Sequence, residues 1–533
     1  VKIRKIAIDL TPVLPGGDNG GAKVFAIELI KSLARRHPDV EFLLLTSSRS
    51  HDELGYLDAP NVSRHPVATA SSEIKGGELV RLGARAISLA PARARPLLFR
   101  LGYKTLTTLR RRSEGKLLAQ LKVDLLFCPF TAPTLAEPGI PIVSTLYDLQ
   151  YASYPEFFTP AEFVQRDQTF RNAARRSTVL AAISEYSRQA AIKQGGLSAD
   201  RIRTIQLRMA KRAEFDPQRG AEVLSRLGLT RDGYLIFPAN FWRHKNHSVL
   251  LMAFGMAIAR GLPDDIRLVL TGALNERTQY LQQAAKDLGI GDRVVFPGYV
   301  ADRDLVALVG QARAVVYPSL FEGFGLPVLE AMALDVPVAC SDLTSLPEVA
   351  GGAALLFDPR KPAAVADAIL RVATDATLRA ELVAAGRARS AEYADAGRMA
   401  DEYWACFEDA ARSVSPATQI YGVYSDAWSS DQLYVEVADS VAGDRLELEL
   451  EAPPSVPSAS VRIRSAEGRP AERTIERGGT LLLTRPLNGG PQRLAFNVTP
   501  TFRPGGADDR TLGLKVRRCA VVRANADVEI LFG

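Results

Sequence analysis

Two glutamates separated by seven residues, Glu322 and Glu330, stand in YPSLFEGFGLPVLEAMALDVP (Tyr317 to Pro337) and are the residues whose types and spacing most clearly suggest chemistry. Ala312 to Ser319, Arg313 aside, reads as a short buried strand. Pro327 suits the first turn of a helix whose apolar positions are Val328, Leu329, Met332 and Leu334. Glu322 then lies in the loop and Glu330 in the opening turns of the helix. Gly323 and Gly325 let backbone N–H groups approach a ligand without side-chain obstruction. Amides and a helix start suit an anionic phosphate, and carboxylates suit sugar hydroxyls. A nucleotide sugar carries both.

Upstream, YLIFPANFWRHKNHSVLLMAF (Tyr234 to Phe254) reads as a strand, a polar loop and an apolar-periodic helix, with Arg243 and Lys245 where the strand end meets the helix start. His244 and His247 are not read as zinc ligands, because no Cys or further His lies nearby and Lys245 would repel the ion. A single D-x-D match, Asp302-Arg303-Asp304, falls where an N-cap and a first-turn acid are expected, and is not read as a metal site. The expectation is therefore no metal and no resident cofactor.

The Glu322-to-Glu330 spacing in its EGFGLPVLEA context resembles the signature of retaining glycosyltransferases of family 4, which have the GT-B fold, and the likeness covers residues 1 to about 410. It implies a metal-independent retaining hexosyltransferase using a nucleotide-sugar donor, GDP-mannose-like by preference. The acceptor would be a glycan or lipid-linked glycan of surface polysaccharide. By the same resemblance Arg243 and Lys245, with amides near Leu326, neutralise the departing diphosphate, and Glu330 accepts from the ribose hydroxyls. Glu322 and the amides of Gly323, Phe324, Gly325 and Leu326 hold the donor sugar. Gly20 and Gly21, in the loop PGGDNGGAK (Pro15 to Lys23), resemble the family's first loop, where a helix N-terminus faces the donor. Many relatives have His-Asp where Tyr147-Asp148 stands; Asp148 remains a candidate for binding acceptor or sugar, whereas Tyr147 cannot take the histidine's role.

The elements that must position these residues alternate between strand-like and helix-like segments, as two doubly wound α/β domains require. We expect a Rossmann-like acceptor-side domain over 1–205, a nucleotide-sugar-binding Rossmann-like domain over 219–391, and a helix over 396–412 crossing back to the first. SVSPATQ reads as a linker. Residues 420–533 alternate in short β-rich runs, which predicts a sandwich of seven or eight strands with no recognised activity.

With 533 residues and 47% hydrophobic content the chain suffices for two to four domains. Cys128, Cys340, Cys406 and Cys519 are scattered, which excludes a CxxC metal site and favours buried free thiols. The net charge of +6 is concentrated: Lys75 to Lys122 holds twelve Lys/Arg against two acids, leaving the rest of the chain at −4. Interleaved with Leu97, Leu98, Phe99, Leu101 and Tyr103, these cations read as a peripheral contact with an anionic membrane. No nucleic-acid module accompanies them. The opening VKIRKIAIDL reads as a strand rather than a secretory signal, and no apolar run is long enough to span a bilayer. The expected location is cytoplasmic, peripheral at the inner face of the plasma membrane. The other classes weighed are a sugar phosphorylase and a noncatalytic glycan-binding or scaffolding protein.

Overall fold

The computed structural model describes residues 2–15, 20–67, 117–137, 139–195, 197, 199–209, 215–413, 418–423, 427–437, 440–464, 471–489, 492–500 and 512–532. Most of the basic segment read as a membrane contact lies outside the described residues, and so does part of the first glycine-rich loop.

Short strands, buried and largely apolar except at the edges β3 and β7, build the first sheet: β1 (Lys5–Leu10), β2 (Glu41–Thr46), β3 (Val62–Pro66), β4 (Leu125–Cys128), β5 (Ile142–Leu146), β6 (Val179–Ala182) and β7 (Ile202–Thr204). Their order is β3-β2-β1-β4-β5-β6-β7 and every pairing is parallel. Strands without a polar face need helices on both sides, which is why the sequence alternates as it does. Those used below are α1 (Gly20–Arg36), α2 (Pro160–Arg176) and α3 (Glu185–Gly195).

The second sheet repeats the design with β8 (Tyr234–Pro238), β9 (Arg267–Thr271), β10 (Val294–Gly298), β11 (Ala314–Tyr317), β12 (Val338–Ser341) and β13 (Leu355–Phe357), in the order β10-β9-β8-β11-β12-β13 and again all parallel. Its helices include α4 (His247–Ala259), α5 (Glu276–Asp287) and α6 (Leu326–Ala333). The order reverses between β1 and β4 in one sheet and between β8 and β11 in the other. Crevices outside the carboxyl ends of strands open at such reversals.

Helix α7 (Ala396–Arg412) packs on the first domain. Tyr403 lies in edge contact with Phe127, and its hydroxyl is 3.0 Å from Thr145 Oγ1. Arg36 meets Asp401 through both of its guanidinium branches. Fully buried Tyr403 and Phe407 each contribute roughly 1.5–3 kcal/mol to this docking.

Beyond it, β14 (Thr418–Val423), β15 (Ser429–Val437), β16 (Arg445–Glu451), β17 (Ser458–Arg464), β18 (Ala471–Glu476), β19 (Thr480–Pro486), β20 (Gln492–Thr499), β21 (Lys515–Val522) and β22 (Val528–Phe532) form two antiparallel sheets. One runs β14-β15-β20-β17-β18 and the other β19-β16-β21-β22. Alternation is plainest in β16, where Leu446, Leu448 and Leu450 face the core and Glu447, Glu449 and Glu451 face outward. Among the described residues these nine strands exceed the expected seven or eight. Thr418 and Gln419, read as linker, begin the first of them. The four cysteines are free and buried.

Candidate active site

Every charged residue singled out in the second domain except Asp302, Arg303 and Asp304 sits at or just past the carboxyl ends of β8 and β11, the two strands that flank the reversal. Arg243 and Lys245 form a single 3₁₀ turn after β8, closed by Asn246 at φ 63° before α4 begins. Asn246 holds that strained conformation because its side-chain amide donates to the Pro318 and Pro359 carbonyls, at 3.2 and 2.8 Å. The loop after β11 carries Glu322. Its carbonyls are braced by Ser345 Oγ, which donates to Glu322 O at 2.9 Å and Phe324 O at 2.8 Å.

Lys245 and Glu322 meet directly. The ammonium lies 2.6 Å from Glu322 Oε1 and donates to the Tyr317 hydroxyl at 3.0 Å, and both charged side chains are nearly enclosed, at 15% and 12% exposure. Burial alone would raise the Glu322 carboxyl, but Lys245, and after it His244, outweighs burial and holds it below the usual range. Burial works against the Lys245 charge, and Glu322 with Tyr317 reverses that effect and raises its affinity for the proton. Tyr317 is pushed up chiefly by burial and stays protonated, as does a phenol at the end of a buried strand generally. His244 is driven down to about 4 by burial and then by Lys245, so it is neutral at pH 7.

The loop after Glu322 is constrained on both sides. A Cβ on Gly323 would fall 2.6 Å from the Tyr147 carbonyl oxygen, so the two domains touch there only because residue 323 is glycine. Gly325, at φ 112°, caps α6, and a Cβ on it would strike Leu346 at 2.6 Å. Among the described residues, the amides of Gly323, Phe324, Gly325 and Leu326 donate to no protein acceptor, whereas Glu322 N is taken by Thr344 Oγ1 at 3.1 Å. Four free amides in a row beside a helix start make an anion-binding concavity. Phe324 itself is buried against Tyr393, so its contribution to a ligand is its backbone. Glu330 follows on α6.

From the first domain, Asp148 closes the site. It follows β5, its Oδ1 accepts from Gln150 N at 2.9 Å, and its charge couples with both Glu322 and Lys245 across the cleft. Burial raises its carboxyl above the ordinary value, with Glu322 adding to the rise and Gln150 N, Arg166 on α2 and Lys245 opposing it. Tyr147 points away: its hydroxyl donates to Pro129 O at 2.8 Å and its ring meets Phe25 edge-on, so only the aspartate of the pair faces the cleft. Gly20 and Gly21 open α1 at the carboxyl end of β1, both exposed, Gly20 at φ 52°.

Several contributors carry no local sequence signal. Glu348 reaches across from the second domain to the first turn of α3, accepting from Glu185 N at 2.9 Å, Tyr186 N at 3.2 Å and Gln206 Nε2 at 2.7 Å. Trp242, Leu274 and Tyr299 stand exposed just beyond the carboxyl ends of β8, β9 and β10. Asp304 is held by Arg219 at 2.5 Å and Arg226 at 2.8 Å, with Ala301 rather than Asp302 as N-cap, and among the described residues no cluster of His, Cys, Asp or Glu could hold a metal ion. A groove of about 670 Å³ lined by Arg231, Arg313, Arg379 and Arg387 lies at the opposite end of the second sheet. There Arg387 and Arg313 face Asp335 and Asp232, and Arg379 bonds backbone carbonyls.

Two parallel-sheet domains facing each other across such a cleft are the GT-B fold. Anabaena HepE, solved with UDP and glucose, superposes with a TM-score of 0.55 at 19% identity, covering 76% of this chain and 100% of that one. Residues 226–389 match the family described as Glycosyl transferases group 1, which places the Arg243 turn, Glu322 and Glu330 inside the matched region. O-antigen chain mannosyltransferase B of Escherichia coli is 33% identical over 258 residues, 47% of this chain and 66% of that protein. Serotype-specific mannosyltransferase WbdA of Escherichia coli is 28% identical over 272 residues, 50% of this chain and 32% of that protein. The chain thus spans about two thirds and about one third of the lengths of these two curated relatives. Among the described residues no helix is long and apolar enough to cross a membrane.

Proposed function

We propose that this protein is a retaining glycosyltransferase that moves a hexose from a nucleoside-diphosphate sugar, GDP-mannose by preference, to a glycan or lipid-linked glycan of surface polysaccharide, forming an α-linkage. The observation that carries the reading is the buried Lys245–Glu322 pair with Tyr317, set at the strand-order reversal beside free loop amides and opposite Asp148. The relatives that are named mannosyltransferases favour the sugar and the polysaccharide context.

In this reading the second domain binds the donor. Glu330 accepts from the ribose hydroxyls, and Trp242, Leu274 and Tyr299 supply an apolar wall for the base. Arg243 and the amides of Gly325 and Leu326 stabilise the charge that grows on the departing diphosphate. Lys245 is neutralised by Glu322 before any ligand arrives. Its role shifts accordingly, from an independent cation to a donor that fixes the Glu322 carboxylate, whose remaining lone pairs and the Gly323 and Phe324 amides hold the sugar. Asp148 faces the acceptor. The acceptor hydroxyl attacks on the face the diphosphate leaves, and the leaving phosphate takes its proton, so no protein nucleophile is required. The segment from Lys75 to Lys122 brings the acceptor side to an anionic membrane, which liposome sedimentation at low and high salt tests directly.

Thermal-shift screening of UDP-, GDP- and dTDP-sugars, followed by transfer to a lipid-linked oligosaccharide with the product anomer read by NMR, tests the whole reading. A stabilising donor and an α-linked product are expected. A β-linked product overturns retention, and a protein that neither binds nor consumes any nucleotide sugar overturns the assignment.

A further inference from the structure

Most described arginines of the second domain are matched. Arg219 and Arg226 share Asp304, Arg260 meets Asp367, Arg360 meets Asp358 and Arg387 meets Asp335. Arg243 and Arg277, at the carboxyl end of the sheet, are not. Arg243 makes one long contact, 3.4 Å from its Nη1 to the Glu156 carbonyl oxygen of the first domain, and pairs with no carboxylate among the described residues. Arg277, in the first turn of α5, is half-buried, and its Nε is shut off from solvent with no partner. A buried guanidinium N–H left unpaired costs about 1–3 kcal/mol, and folds retain such a group where something outside the chain satisfies it.

The two arginines share one wall. The loop leading to Arg277 is stitched to the loop carrying Arg243: Ala273 N donates to Asn240 Oδ1 at 3.1 Å, and Gly272, at φ 144°, comes so close that a Cβ would lie 2.9 Å from Ala239 O. Asn275 and Thr278 close a capping box on either side of Arg277, which fixes where its side chain leaves the helix. After burial, the positive charge of Arg243 is the main influence lowering the Arg277 proton affinity. Arg277 also acts on His247, which burial pushes down to about 3 and which therefore offers no compensating charge. Adjacent unneutralised cations at the mouth of a cleft are stabilised by an anion between them.

We propose that Arg277 is a ligand of the donor's diphosphate, forming with Arg243 a two-guanidinium clamp that binds the nucleotide's phosphates rather than its base. This deepens the donor reading above and rests on it. Lys245, already saturated by Glu322, does not supply that charge.

Calorimetry with GDP, UDP, guanosine and uridine on the full chain tests the proposal, using wild type, Arg277→Gln and Arg277→Lys. Arg277→Gln should weaken the favoured diphosphate by about tenfold to a hundredfold, the worth of a hydrogen bond to a charged group, and leave the nucleoside's binding or non-binding as in wild type. Arg277→Lys, which keeps the charge without the fork, should recover part of the loss and serves as the deciding variant if the glutamine form melts early. The clamp is overturned if wild type binds a diphosphate and both variants bind it equally well, or if nucleoside and diphosphate weaken alike, which would place Arg277 against the base. Wild type that binds neither GDP nor UDP overturns the donor reading and the clamp with it.

Discussion

The cleft and the outer face of the sandwich both carry Arg or Lys paired with Glu, and the same bond means different things in the two places. On β16, Glu447 accepts from Arg445 at 3.1 Å and from Arg518 at 2.9 Å, with the arginines 49% and 37% exposed. Glu451 meets Arg517 on the same face. Water competes for the arginines, although Glu447 itself is only 16% exposed, and pairs with an exposed partner contribute about 0–1 kcal/mol. Lys245 and Glu322 are 15% and 12% exposed, so neither charge can fall back on solvent if the other is removed. A buried pair is poor evidence of stabilisation, since apolar residues of equal volume often do as well; its persistence marks a requirement for charge at that spot. The sandwich lattice keeps a sheet face soluble, whereas in the proposed reading the cleft pair holds a carboxylate ready for a ligand.

The largest effect should come from breaking the buried pair. Lys245→Met strands the Glu322 carboxylate, and we expect a loss of about 3–5 kcal/mol in urea unfolding with transfer reduced about a hundredfold or more. Lys245→Met combined with Glu322→Leu should recover the stability and none of the activity, which separates the two meanings of the pair. Because Lys245 holds the folded carboxyl below its unfolded value, the pair's contribution is present above the unfolded pKa and lost as pH falls through the folded one. The gap between wild type and Lys245→Met should therefore narrow in acid. A Lys245→Met protein with wild-type stability and rate would erase the distinction.

That pairing shows where reading residues in order runs out. The strand, loop and helix around Glu322, Pro327 and Glu330 are specified within some twenty residues, and Arg243 and Lys245 are placed by a second such segment, so both were legible. The partnership of Lys245 with Glu322 was not. They lie 77 residues apart and meet because β8 and β11 are neighbours in the sheet, a fact of strand order that local patterns do not contain. Asp148 was singled out with its distance from Glu322 unknown, and Arg277 and Glu348, charged residues at helix starts, gave no reason to look. In the sandwich an edge strand such as β18 is the hardest to read from the sequence. AERTIE buries Ile475 alone among its side chains, so an edge strand of this kind looks like loop.

Next in size is the tie between the domains. Glu348→Gln leaves a weaker acceptor for three donors of the first domain, two of them backbone N–H groups at the start of α3. Hydrogen bonds to a charged acceptor are worth about 1.5–3 kcal/mol, and here that energy ties the two domains together. We expect a larger radius of gyration by small-angle scattering and a raised KM for donor, with global stability little altered. An unchanged radius and KM would reduce Glu348 to a helix cap.

Asp148 offers a test by sign. Burial raises its folded carboxyl, so the native state binds the proton more tightly than the unfolded chain. Its stabilising contribution is complete below the unfolded pKa and is lost as pH rises through the folded value. Asp148→Asn removes the need to ionise a buried acid, so at pH 8 the variant should be as stable as wild type or more so, while acceptor use declines. At pH 4 the ordering should reverse or vanish. A variant less stable than wild type at pH 8 would make Asp148 a structural turn residue, like the surface acids of the sandwich.

The smallest effect should come from the sandwich itself. Arg518→Gln removes one of two partners from Glu447, whose other partner and solvent remain available. The expected change is below about 1 kcal/mol and should shrink further in 0.5 M salt, where the screening length falls to roughly 4 Å. Transfer should not change, because every charged residue assigned to the donor lies before residue 331. Urea unfolding of Arg518→Gln beside Lys245→Met, at low and high salt, puts both pairs on one scale. If the surface variant loses as much as the cleft variant, burial does not divide them, and the Lys245–Glu322 pair loses its claim to be there for a ligand.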